Sequence, residues 1–185
     1  TRDRRFNYDP SFSSEQQPVY FASMDEYPQA EPRISSVRID GAAFTNLQES
    51  GDSLNLTTQD EIYFTRADPD TGKQQIYRIT TDGSSFAQVI NDMEFAQNNC
   101  FDPAISPDGS KMLFTSDYHQ DEQGRHNNNI YLYDLKSGLT PLQLTDNGSD
   151  DVRPMWSPTE PDVIYFLSNR RAIYNVWRMT IRVAQ

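Results

Sequence analysis

The chain's only histidines, His119 and His126, stand in one polar stretch between Ser116 and Ile130. Together with Asp117, Asp121 and Glu122 they are residue types that bind zinc and related metals when they converge. Their neighbours are Gln120, Gln123, Gly124, Arg125 and Asn127 to Asn129, the composition of a solvated hairpin tip. No metal is therefore expected there. A second dense cluster, Asp146-Asn147-Gly148-Ser149-Asp150-Asp151, could take only calcium as a structural or incidental ion. It lacks the D-x-[DN]-x-[DN]-G loop and the distal Glu of a dedicated calcium site. Serine hydrolase chemistry needs a nucleophile, an imidazole base and an orienting acid. The sequence has no G-x-S-x-G elbow, and neither histidine lies near a plausible nucleophile in the repeat. The expectation is a chain without catalytic residues, cofactor or metal.

Bulk properties narrow the partners. The 185 residues carry 27 Asp and Glu against 16 Lys and Arg, a formal net charge of -11. Such a surface repels phosphate backbones and anionic headgroups, so nucleic acid is not an expected partner. Apolar runs reach five or six residues, far below the roughly 18 that a membrane span needs. A single cysteine, Cys100, excludes an internal disulfide. No signal peptide is visible, and a start at Thr1 leads us to expect a mature chain or a fragment.

Helical periodicity is absent. Short runs rich in Val, Ile, Tyr and Phe recur instead, punctuated by Gly, Pro, Asn and Asp, which predicts an all-β protein. The clearest unit runs Cys100-Phe101-Asp102-Pro103-Ala104-Ile105-Ser106-Pro107-Asp108-Gly109, then Lys111 to Ser116, then Ile130 to Asp134 and Leu142 to Asp146. The next has Val152-Arg153-Pro154-Met155-Trp156, Ile164 to Ser168 and Val176 to Met179. An earlier one has Glu61 to Thr65, Ile76 to Ile79 and Gln88 to Ile90. The first is worn: Tyr8 to Ser13, Val19 to Ser23, Val37 to Gly41 and Asn46-Leu47. Phe21, Phe64, Phe114 and Phe166 mark units of about 40 to 50 residues, the period of a propeller blade. Runs such as Ile62-Tyr63-Phe64 lose polar alternation because a blade is covered on both faces. Ser106-Pro107-Asp108-Gly109, Asp82-Gly83 and Ser137-Gly138 read as tight turns. Ser13 to Gln16 and Thr159 to Asp162 lack that turn chemistry without removing a strand.

The string Asp102-Pro103-x-x-Ser106-Pro107-Asp108-Gly109-x-x-Met112-x-Phe114-x-Ser116, followed by Ile130-Tyr131-x-x-Asp134, resembles the TolB-like (WD40-like) β-propeller repeat. The resemblance implies a single propeller segment over 1–185, with about four four-stranded antiparallel blades near 6–50, 51–92, 98–146 and 150–185. Such propellers usually have six or more blades. The expectation is therefore an arc of a larger ring, or a chain completed by other subunits, rather than a rare four-bladed ring. The resemblance also implies an extracytoplasmic setting, in the periplasm, at the cell surface or secreted.

On that scaffold the loops between blades and those joining second to third strands emerge on one face. The latter are Met24 to Arg33, Arg66 to Gln75, Asp117 to Asn129 and Asn169 to Ala172. Binding residues concentrate on loops held by a rigid frame. The residues preceding the repeat prolines, Asp9, Asp102 and Arg153, are expected at the inner rim of that face. With Asp117, His119, Arg170 and Arg171 they form the candidate surface for a protein partner. The expected function is a non-catalytic binding or scaffold module. Two alternatives have different chemistry: the propeller of a prolyl-oligopeptidase-type peptidase without its hydrolase domain, and a carbohydrate-active propeller lyase.

Overall fold

A computed structural model describes residues 5–12, 18–25, 30–48, 50–57, 60–120 and 123–182. The chain divides into two compact units, residues 1–89 and 90–185. In the first, β1 (Phe6–Phe12), β2 (Val19–Met24), β3 (Arg33–Val37) and β4 (Thr45–Gln48) form one antiparallel sheet in chain order. A second sheet follows from β5 (Asp52–Leu56), β6 (Glu61–Ala67), β7 (Gln74–Thr80) and β8 (Phe86–Gln88). The second unit opens on a short helix, α1 (Met93–Ala96). Its first sheet holds β9 (Cys100–Ile105), β10 (Lys111–Ser116), β11 (Asn129–Asp134) and β12 (Leu142–Gln143). Its last sheet holds β13 (Asp151–Trp156), β14 (Val163–Ser168) and β15 (Asn175–Thr180). These are four antiparallel blades of a β-propeller, the fourth three-stranded among the described residues.

The second strand of each blade is its core. Phe64 and Phe114 are wholly buried and Phe21 and Phe166 nearly so, as expected of strands covered on both faces. In the first unit Tyr20 and Ile34 of one blade meet Ile62, Phe64, Tyr77 and Ile79 of the next. In the second, Ala104, Leu113, Ile130 and Leu132 meet Ile164 and Phe166, with Trp156, Trp177 and Met179 packed against them. The turns follow their sequence chemistry. Gly109 takes φ 71° and donates its N–H to the Ser106 carbonyl, while the Asp108 carboxylate accepts from the Ser106 and Ser110 hydroxyls.

Three features differ from the sequence reading. The third strand of the first blade is Arg33–Val37, and Arg38 to Ala42 close a turn in which Gly41 has φ 82°. Val37 ends the strand and Ile39 lies inside that turn, and their apolar alternation disguised the strand end. The second blade has an innermost strand, Asp52–Leu56, that carries no proline to announce it. Residues 93–96 form a helical turn capped by the Asp92 carboxylate, which puts Phe95 into the core. No outer strand forms in the fourth blade among the described residues; Ile181 is buried there and its N–H bonds the Asp162 carbonyl. Ser13 to Gln16, Asp121, Glu122 and the last three residues lie outside the described residues.

Candidate functional site

Asp9, Asp102 and Arg153 occupy one backbone position repeated from blade to blade. Each lies in the innermost strand with positive φ, at 49°, 54° and 52°. Ser53, at φ 51°, takes the place in the second blade. In all four blades the pairing to the second strand slips here, as it does between Phe101 and Ala104 opposite Leu113 and Thr115. This is a β-bulge, whose extra residue kinks the strand. Pro10, Pro103 and Pro154 follow the left-handed residue inside the bulge, where no ladder N–H is required. Sequence reading marked three of these positions through the proline and missed Ser53, which Leu54 follows.

In the second unit two equivalent bulges touch. The Asp102 carboxylate accepts the backbone N–H of Arg153 at 3.2 Å. The strained left-handed arginine is thereby held by the preceding blade. Trp156 donates its Nε1–H to the Ala104 carbonyl at 3.0 Å, tying the same two strands.

Asp117 belongs to a second repeated device. Its two carboxylate oxygens accept the N–H and side-chain amide of Asn99, at 2.6 and 2.7 Å. In the next blade the types are exchanged. Asn169 accepts the N–H of Asp150 at 3.0 Å and donates its amide to the Asp150 carboxylate at 3.3 Å. Each pair ties the loop after a second strand to the residue before the innermost strand. Asp150 also accepts from the backbone and side-chain amides of Asn128, both at 3.0 Å. The between-blade segment and both loops are thus laced into one surface.

Arg170 is held in that surface. Its guanidinium bonds both oxygens of the wholly buried Asp151, at 3.0 and 2.8 Å, and its Nε donates to Ser168 at 2.8 Å. It also stacks 4.4 Å from the Trp177 ring. Arg171 lies 5.3 Å from the same ring and is exposed. His119 is exposed as well. His126 has both ring nitrogens engaged: Nδ1 lies 2.6 Å from the Asp117 carbonyl and Nε2 lies 2.8 Å from the Gln120 amide. A carbonyl only accepts, so Nδ1 carries the proton and Nε2 accepts from Gln120. Among the described residues no group of three His, Cys, Asp or Glu could hold a metal ion. The carboxylates of Asp150 and Asp151 are committed to Asn128, Asn169, Asn147 and Arg170.

The first unit has a cleft of about 380 Å³ on the corresponding loops, lined by Glu31, Pro32, Gly51, Asp52, Arg66 and Asp68. Arg66 lies over the rings of Tyr77 and Phe86, at 5.7 and 5.6 Å. Asp68 serves its own turn, accepting the N–H groups of Asp70 and Thr71. Those bonds, led by the one from Thr71, hold its carboxyl below the usual range.

No family model matches the sequence, and no curated protein matches it. Solved structures do. TolB from Acinetobacter baumannii superposes with a TM-score of 0.71 at 20% identity, over 96% of this chain and 42% of that one. A puromycin hydrolase gives 0.70 at 13% identity, over 95% of this chain and 27% of that one. The β-propeller domain of the Trilobed protease from Pyrococcus furiosus gives 0.60 at 14% identity, over 88% and 48%. The chain spans less than half the length of each. The shared property is the propeller fold. No helix among the described residues is long and apolar enough to cross a membrane.

Proposed function

We propose that this chain is a non-catalytic propeller module that presents its loop face to a protein partner within an extracytoplasmic assembly. The observation that carries this reading is the lacing of the between-blade segment. Asp150 and Asp151 clamp Asn128, Asn169 and Arg170, leaving His119 and Arg171 displayed on a preorganised surface. A surface fixed before binding loses little conformational entropy on docking, which favours recognition. The TolB likeness favours the extracytoplasmic setting. A photo-crosslinking residue at His119 or Arg171 should give a discrete adduct with a partner in extracts of the source cell envelope. Placed at Lys136, in the turn between β11 and β12, it should not. Equal labelling from both positions, or none, would overturn the reading.

A second reading is favoured by the hydrolase and protease among the similar structures: the module stands beside a hydrolase domain in a longer polypeptide. Labelling of the native, full-length protein by a serine-directed phosphonate would favour that reading.

A further inference from the structure

A pair of residues recurs at the loop end of each blade's second strand, and one blade builds it the other way round. Two residues after the anchoring phenylalanine, the first, third and fourth blades carry Ser23, Ser116 and Ser168, all buried. Opposite them in the innermost strand stand Asn7, Cys100 and Asp151. The second blade reverses the sizes. Its residue two beyond Phe64 is Arg66, and continuing the Asp52–Thr65 pairing by one residue puts Gly51 opposite it. Gly51 has no side chain to fill the space that Cys100 and Asp151 fill in their own blades. The cleft of about 380 Å³ opens there, with Gly51 and Arg66 both in its wall.

The fourth blade shows what this position holds when it is filled. The Asp151 carboxylate is bound through both oxygens by the Arg170 guanidinium, which stacks 4.4 Å from the Trp177 ring. Tyr77 is the register equivalent of Trp177, since the two pair with Phe64 and Phe166. Arg66 lies over the Tyr77 ring at 5.7 Å and over Phe86 at 5.6 Å, and those rings stack on each other at 5.2 Å. The second blade thus has the cation and its aromatic platform without the carboxylate. Among the described residues Arg66 forms no ion pair, and its Nε is buried without a hydrogen-bond acceptor. A planar guanidinium fixed on a ring is matched by a carboxylate, which it can meet with two parallel N–H donors. Glu31, Asp52 and Asp68 make the rest of the lining acidic. Asp68 is engaged by its own turn and by the Tyr77 hydroxyl at 3.1 Å, and Glu31 stands exposed. A lone anion is repelled by such a lining, whereas a ligand that brings an ammonium group with its carboxylate suits both charges.

We propose that the cleft beside Arg66 binds an α-amino carboxylate, either a free amino acid or a short zwitterionic peptide. Its carboxylate takes the place that the Asp151 side chain holds in the fourth blade, and the acidic lining receives the ammonium group. A hollow of this volume falls within the roughly 300–1,000 Å³ of small-molecule sites. The site uses residues of the first unit alone, so it stands or falls independently of the His119 and Arg171 surface.

Nuclear magnetic resonance on the isotope-labelled chain tests this, with L-alanine and L-alanyl-L-alanine as the probes. At least one of them should shift the Arg66 Nε–H and Gly51 amide resonances saturably. A response to alanine alone assigns the free amino acid, and a response to the dipeptide alone assigns the peptide. Ethylamine, which lacks the carboxylate, and inorganic phosphate, which lacks the ammonium group, should leave both resonances in place. Arg66→Ser installs the residue that the other three blades carry, so it should keep the circular dichroism of the wild type and lose the response to both probes. Arg66→Gln provides the same comparison should the serine disturb folding. No saturable shift with either probe, an equal shift with ethylamine or phosphate, or a response that survives in the variants would overturn the proposal.

Discussion

The carboxylate of Asp102 and the backbone N–H of Arg153 meet at 3.2 Å, joining the left-handed bulge of one blade to that of the next. An arginine at φ 52° carries a cost of about 1–2 kcal/mol that glycine would not. The carboxylate gives that unusual backbone an acceptor. Asp102→Ala should destabilise the second unit by about 1 kcal/mol, whereas Asp102→Asn, which keeps an acceptor oxygen and tolerates positive φ, should be near neutral. Arg153→Gly should be neutral or stabilising, and Arg153→Val destabilising. Denaturant unfolding of the four variants checks the order.

Adjacent arginines in one loop should behave differently. Arg170 is the counter-ion of Asp151, which has no solvent exposure. Removing one partner of such a pair leaves an uncompensated charge, so Arg170→Met should cost about 3–5 kcal/mol. Arg171→Met should change stability by less than about 0.5 kcal/mol. Thermal and chemical unfolding would show the contrast, and equal effects would refute the structural role given to Arg170.

Phe95 and Phe114 are both fully buried and meet edge to face at 5.9 Å, with Tyr131 and Tyr118 completing the cluster. Each should cost about 3–5 kcal/mol when replaced by alanine. Cys100 lies under the same helical turn. Burial pushes its thiol up to about 12, so it should resist a disulfide reagent in the native protein. Phe95→Ala should speed its labelling by loosening that cover.

Much of this was legible in the sequence. The anchoring phenylalanines, the Asp-Gly turns and the second strands followed from period and turn chemistry alone. Three of the four bulges were marked by a proline. The fourth was hidden because Ser53 and Leu54 adopt the conformation without one. Asp117 was visible as a polar loop residue, but its role was not. It depends on Asn99, and only the exchanged pair of Asp150 and Asn169 shows that the two form a repeated clamp. Phe95 escaped notice because four residues are too few for helical periodicity.

Gly51 takes φ 156°, and a Cβ added there would stand 2.5 Å from the Phe64 ring. That ring is fully buried and cannot swing away. Gly51→Ala should therefore destabilise the first unit by about 1–3 kcal/mol through overpacking. Coupling to Phe64→Leu in a double-mutant cycle should relieve part of the loss.

The turn carboxylates set an acid limit. The Thr80 hydroxyl and the Ser84 N–H hold Asp82 at about 2, and the Ser106 and Ser110 groups depress Asp108. Both lie below the ordinary aspartate value of about 4. Lowered values stabilise the folded chain above that ordinary value, and the contribution disappears as pH falls toward 2. The melting temperature should fall across that window, and less steeply in the Asp82→Asn and Asp108→Asn double variant.

The chain's two tryptophans, Trp156 and Trp177, both pack on the cluster of the third and fourth blades. Intrinsic tryptophan emission is therefore a local gauge: it watches residues 90–185 and is blind to residues 1–89. A fluorescence melt and a far-ultraviolet melt of the same sample coincide only when the two units unfold together. Any separation between the curves measures directly how far each half stands on its own.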